Sequence, residues 1–194
     1  MKNLLIILTF IVSFNIHAQE NKQEQNNSAF GLKGGYNLTS VRNSEGNETD
    51  QRQGLHVGFF GESNITKFLA LQIELTYSQQ GYVVENSNFK LTQKIDYLNI
   101  PLMLKLYPTK TFYFEAGPQI GYVISHKENI ETFIGDSNSN FDPHSLDWGT
   151  NIGLGFKTET GLILGARYHY GLGKLYENTN EYNNVLQLSL GFIF

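Results

Sequence analysis

The chain has no cysteine in its 194 residues and only 4 prolines. Without cysteine there is no disulfide framework, no thiolate metal site, no thiol nucleophile and no lipid-bearing cysteine. Charge is scarce as well. The 14 Lys+Arg and 18 Asp+Glu leave a formal net charge of −4, the opposite of the clustered basic surface that phosphate backbones require, so nucleic acid is excluded as a partner. No apolar run reaches the roughly 20 residues of a membrane-spanning helix. Disorder is excluded for most of the length, because 13% of residues are aromatic and only 16% charged. What is abundant is 19 Gly, 11 Tyr and 14 Phe, the composition of an all-β chain of one domain.

The N-terminus reads as an export signal. Met1-Lys2-Asn3 is basic, Leu4 to Phe14 is apolar, and Ala18 offers a small residue at a cut site before the polar Gln19. Cleavage there makes residues 1–18 a signal peptide and leaves a mature charge of 13 − 18 = −5. Residues 19–29 read as a flexible periplasmic lead-in, and residues 30–194 as the folded domain.

That domain carries alternation rather than a helical period. Strands are expected at about 30–39, 54–63, 69–79, 92–106, 112–124, 146–157, 162–172 and 184–194. Connections alternate between long (Ser40–Gln53, Gln80–Leu91, Ser125–Ser145, Gly173–Asn183) and short (Asn64–Phe68, Tyr107–Thr111, Thr158–Gly161). Long and short loops thus fall at opposite ends of an up-and-down antiparallel sheet, the layout of a transmembrane barrel with short periplasmic turns.

The faces decide between lipid and water. On the third strand Leu69, Leu71, Ile73, Leu75 and Tyr77 oppose Ala70, Gln72, Glu74, Thr76 and Ser78. On the last, Leu186, Leu188, Leu190, Phe192 and Phe194 oppose Gln187, Ser189 and Gly191. The lumen of eight strands is just wide enough for side chains to fill, so the small and polar face suits the inside and the bulky face suits lipid. Tyr36, Tyr77, Tyr122, Trp148, Tyr168 and Tyr170 sit toward the long-loop ends of the bulky faces. Phe30, Phe112, Phe114, Phe156, Phe192 and Phe194 sit toward the short-turn ends. Two such girdles mark the boundaries of an apolar band. The expected fold is therefore all-β: an eight-stranded antiparallel up-and-down transmembrane β-barrel.

Four segments carry a family resemblance. Tyr97-Leu98-Asn99-Ile100-Pro101-Leu102-Met103-Leu104-Lys105, Phe114-Glu115-Ala116-Gly117-Pro118, Arg167-Tyr168-His169-Tyr170-Gly171-Leu172 and Leu75-Thr76-Tyr77-Ser78-Gln79-Gln80-Gly81 resemble strands of the PorT-like outer-membrane β-barrel proteins of Bacteroidota, eight-stranded barrels of the OmpX/OmpA kind. The resemblance covers essentially the whole mature chain. It implies the outer membrane and no catalytic, cofactor or metal residue; the even strand number brings both termini to the short-turn end, so they are expected in the periplasm. The final strand ending at Phe194 resembles the signal read by the outer-membrane assembly machinery. Partners expected on this reading are outer-membrane lipid, that machinery, and an envelope protein.

Candidate chemistry is confined to the inward face. Glu74, Glu115 and Arg167 are expected inside near mid-height, with His169 higher and Lys33, Glu62 and Lys105 lower. Unpaired buried charge costs several kcal/mol (roughly), so a structural network is expected; the alternative is a narrow pore. His169, Ser189 and Asp147 supply the residue types of a hydrolytic triad, yet there is no G-x-S-x-G. Asp136, Asn138, Asn140, Asp142 and Asp147 have the spacing of a calcium loop, but Phe141 stands where the turn glycine belongs. A water-soluble, lipocalin-like carrier of an apolar ligand would need the bulky faces turned inward. Finally, Pro101 and Pro118 cannot donate to a ladder, so a bulge or a missing hydrogen bond is expected between the fourth and fifth strands.

Overall fold

The computed structural model describes residues 28–86, 89–132, 135–139, 144–176 and 179–194; the expected signal peptide lies outside them. The strands are β1 (Ser28–Asn43), β2 (Asp50–Asn64), β3 (Leu69–Asn86), β4 (Phe89–Leu106), β5 (Phe112–Thr132), β6 (Gly135–Ser139), β7 (Leu146–Lys157), β8 (Leu162–Lys174) and β9 (Glu181–Ile193). Every pairing is antiparallel, in the order β4-β3-β2-β1-β9-β8-β7-β5-β6, and a β4–β5 pairing closes the ring. Eight strands thus form a closed barrel, while the short β6 pairs only with β5. Closure leaves no free edge inside the membrane, where an unpaired amide would have no water to bond.

The facing follows the alternation. Leu71, Ile73 and Leu75 are exposed on the outside of β3, and Gln72, Glu74 and Thr76 are buried inside it. Leu188, Leu190 and Phe192 of β9 and Ile152, Leu154 and Phe156 of β7 likewise face out. The bulky face points away from the lumen on every barrel strand, which contradicts the lipocalin-like alternative. Burying these side chains in water-free surroundings requires lipid, at about 25 cal/mol per Å² of apolar surface.

Most strands run past their expected long-loop ends: β1 reaches Asn43, β2 begins at Asp50 and β9 at Glu181. β3 continues through Gln80–Asn86, β4 begins at Phe89, and β5 continues through Ser125–Thr132. β5 pairs with β7 only over Phe112–Tyr122; beyond that it pairs with β4 and with β6. Two of the four segments expected as long loops, Gln80–Leu91 and Ser125–Ser145, therefore contribute to a four-stranded sheet, β3–β4–β5–β6, that continues past the last β5–β7 pair at Tyr122. They escaped the pattern because, above the lipid, both faces of a strand can be polar. β1 also starts two residues early, at Ser28.

The prolines interrupt two ladders without changing register. Pro101 pairs with Gln119 and Leu104 with Ala116, but no partner is formed across Leu102–Met103 and Gly117–Pro118. On the other side of β4, pairing is missing at Glu74–Leu75 opposite Ile100–Pro101. Gly117 sits in the first gap, where a Cβ would lie 1.9 Å from the Leu102 carbonyl oxygen, so only glycine allows this approach. The bulge lies instead at Asp96/Tyr97, opposite Val123 and Ser125. Facing is therefore preserved through the prolines, and Met103 and Glu115 are both buried inside.

Candidate functional site: a charged lumen

Three of the four expected interior residues meet at mid-barrel. Glu115 of β5 and Arg167 of β8 are separated by β7, whose Gly153 stands between them in register. A Cβ on Gly153 would come within 2.9 Å of Glu115 Oε1, so the missing side chain leaves the space that the ion pair crosses. Arg167 Nε donates to Glu115 Oε1 at 2.7 Å. Its Nη2 and Nη1 donate to Glu74 Oε1 and Oε2 at 2.7 and 2.9 Å, and Lys33 Nζ reaches Glu74 Oε2 at 2.5 Å. Gln72 Nε2 adds a 2.5 Å bond to Glu74 Oε1. Two cations and two carboxylates cancel, and the bidentate fork of Arg167 on Glu74 is the strong geometry for such a pair.

A second layer lies nearer the short turns. Glu62 accepts from Lys105 Nζ (2.9 Å), Lys157 Nζ (2.8 Å) and the Tyr107 hydroxyl (3.0 Å). Burial, followed by the Glu62 carboxylate, pushes the Tyr107 phenol well above its ordinary range, so it remains a donor. Lys105 Nζ also stands 4.2 Å from the centre of the Tyr113 ring. Phe60, Tyr113 and Ile163 form an apolar layer here.

His169 does not join the charged hub. Its Nδ1 is 3.1 Å from Asn151 Oδ1, and Nε2 has no hydrogen-bond partner among the described residues. Nor does it meet Ser189, which pairs in register with Gly165, four residues below His169. Asp147 faces the lumen and accepts from Asn183 Nδ2 at 3.5 Å. The triad types His169, Ser189 and Asp147 are therefore not assembled. Of the residues with calcium-loop spacing, Asp147 turns inward, while Asn140, Asp142 and the side chains of Asp136 and Asn138 lie outside the described residues; no cluster of metal-ligating side chains occurs among those described.

Ser189 has a different partner. Asn37 Nδ2 donates to Ser78 Oγ and to the Gln79 carbonyl, both at 3.0 Å, which turns its Oδ1 toward His56 Nδ1 at 2.7 Å. His56 Nε2 then accepts from Ser189 Oγ at 2.9 Å. This serine–histidine–asparagine chain spans three adjacent strands and was missed in the sequence. Its only signal there is the alternation that turns His56 inward between Leu55 and Val57, and nothing in that pattern places Ser189 beside it. The lumen offers it little space: the cavity beside Ser189, Lys33, Gln72 and Arg167 holds about 20 Å³, room for about one water.

Toward the long-loop end the lumen is capped by Val41, Tyr82, Ile95, Tyr97, Leu175 and Tyr176. Leu175 and Tyr176 come from the β8–β9 connection, and the Tyr82 and Tyr176 hydroxyls lie 3.2 Å apart. The interior is thus filled along its length: an ion layer, an apolar layer, the neutral hub, an amide and imidazole layer, then the cap.

The profile of the outer membrane protein beta-barrel domain family matches residues 17–177. The chain belongs to this family, and its place is the outer membrane. Among solved structures it is similar in fold to Ail, the attachment invasion locus protein of Yersinia pestis, at 12% identity over 88% of this chain and 100% of that one, with a TM-score of 0.55. Neisserial surface protein A is similar at 16% identity, covering 85% of this chain and 97% of that one, with a TM-score of 0.51. No curated protein sequence matches the chain at a significant level.

Proposed function

We propose that this outer-membrane barrel acts through surfaces outside its lumen, as a sealed scaffold with a structural or interaction role, and that it conducts nothing and catalyses nothing. The observation that carries this reading is the filled interior. Every charge of the mid-barrel hub is paired inside it; an apolar cap closes the long-loop end of the lumen, and an apolar layer above the Glu62 ion pairs fills the short-turn end. A pore needs a continuous wet path, and a serine nucleophile needs room for a substrate beside it. The strands β3, β4 and β5, by contrast, run on past the last β5–β7 pair at Tyr122, toward the long-loop end, where binding on a rigid scaffold usually occurs.

The finer parts of the reading follow from the sequence. Residues 1–18 export the chain, the assembly machinery reads the strand ending at Phe194, and both termini and the short turns face the periplasm. The four strand segments that resemble PorT-like proteins of Bacteroidota support a reading of the chain as a member of that branch with an envelope protein as partner.

The lack of cysteine provides the test. Glu85→Cys, exposed on the β3–β4 hairpin, should react with a membrane-impermeant maleimide on intact cells. Thr109→Cys, exposed in the short β4–β5 turn, should react only after the outer membrane is permeabilised. The reverse pattern would invert the orientation and place the sheet in the periplasm.

A further inference from the structure

We propose that Lys94 and Lys127 form a seat for the phosphate of an anionic lipid headgroup. The seat lies in the leaflet on the long-loop side, which is the outer leaflet under the orientation proposed above. The two residues are direct cross-strand partners on β4 and β5. Gln93 and Ile95 are buried on the inside, so Lys94 between them faces out. Across the bulge at Asp96/Tyr97 the parity of β5 changes, and Lys127, opposite Lys94, shares its face.

Like charges placed directly opposite each other are destabilising in an antiparallel pair. Nothing in the described protein offsets them. Lys90 reaches Glu85 at 2.9 Å, whereas Lys94 and Lys127 have no carboxylate partner among the described residues. Arg52 lies on the other side of Gly81, the register partner of Lys94, where it donates to the Gln80 carbonyl and faces Asp96. With Arg52 matched by Asp96, the two lysines leave an excess of two positive charges among the described residues of this face.

The height is that of a headgroup. Tyr122 and Ile124 are exposed on the outer face of β5, and Lys127 stands three residues beyond Ile124, roughly 7 Å further out at the usual rise and barrel tilt. The polar zone of a bilayer extends about 5–8 Å past its hydrocarbon edge, and lysine stems reach down into it. The opposite rim of the barrel is different. There Arg42 stacks on Tyr170 and Tyr182 at 4.3 and 4.8 Å and donates to the Gly171 carbonyl, so its positive charge is already engaged.

The test is native mass spectrometry of the detergent-purified full chain, titrated with phosphatidylglycerol or with phosphatidylcholine. Phosphatidylglycerol should be retained selectively, and K94Q/K127Q should weaken it roughly 30-fold, the contribution of two lysines near a lipid surface. K94R/K127R should retain it, and Lys110→Gln in a short turn should change nothing. Heat-modifiable gel mobility verifies that each variant is folded. Equal retention of the two lipids, or unchanged binding by K94Q/K127Q, overturns the seat. Competition by millimolar inorganic phosphate would mark it as a free-anion site and overturn the lipid assignment. Because the measurement is made in detergent, it does not depend on which end of the barrel faces out, so it fails separately from the maleimide test.

Discussion

The lumen and the outer rim both carry basic side chains, and they treat them in opposite ways. Inside, Arg167 and Lys33 are fully engaged by Glu74 and Glu115 at 2.5–2.9 Å. On the rim, Lys94 and Lys127 stand opposite each other with no counter-charge among the described residues. The difference is one of solvent. A charge shut inside a barrel has no water to fall back on, so the protein itself must supply its partner. A charge at the headgroup boundary is bathed in water and ions, and can be left for a ligand.

The largest effect should come from breaking the inner side of that comparison. Arg167→Met leaves Glu74 and Glu115 buried without their shared partner and should cost about 3–5 kcal/mol in urea unfolding from lipid vesicles. Replacing Arg167, Glu74, Glu115 and Lys33 together by apolar residues of similar volume should recover most of that loss; a multiple variant as unstable as the single one would mean that packing, and not pairing, holds the hub.

Next in size is the lower layer. Glu62→Gln should cost about 3 kcal/mol, the low end for a broken buried pair, because Lys105 is left buried without its carboxylate while Lys157, a quarter exposed, can turn to water. A loss equal to that of Arg167→Met would show the two layers to be one coupled network. The cap should rank beside it: Leu175→Ala removes a buried apolar contact, with an expected loss of about 2–3 kcal/mol and no conductance, since the hub below remains in place.

The smallest effect sharpens the outer side. K94Q/K127Q should leave unfolding stability within about 0.5 kcal/mol of the parent, or raise it slightly, because a like-charge pair is removed. A marked loss of stability would mean that the pair supports the fold and is not held open for a ligand.

How much of this was legible in the sequence depends on whether a residue touches lipid. Leu71, Ile73 and Leu75 declare their face because lipid demands apolar side chains at every second position, and the inward direction of Glu74, Glu115 and Arg167 follows from that alternation. Their meeting does not. It depends on the relative register of β3, β5 and β8, which no single strand encodes, and on Gly153 leaving a gap. His56 was overlooked for the same reason: its partners Asn37 and Ser189 lie 19 and 133 residues away. Above the membrane the signal disappears. Gln80 and Gln93 line the inside while Gln79 and Lys94 face out, so Gln80–Asn86 and Phe89–Leu91 carry no polar–apolar contrast and read as loop. The prolines marked the interrupted ladder correctly, but not the bulge, which lies at Asp96/Tyr97 where the sequence gives no warning.

The central claim is that the lumen is sealed and the protein works from its outer surfaces. Planar-bilayer recording of the purified, folded barrel tests it most directly. The account predicts a silent membrane at either polarity, with the same silence after Leu175→Ala. A stable open-channel current from the unmodified chain would contradict it, and would turn Arg167, Glu74 and Glu115 from a structural plug into the lining of a pore.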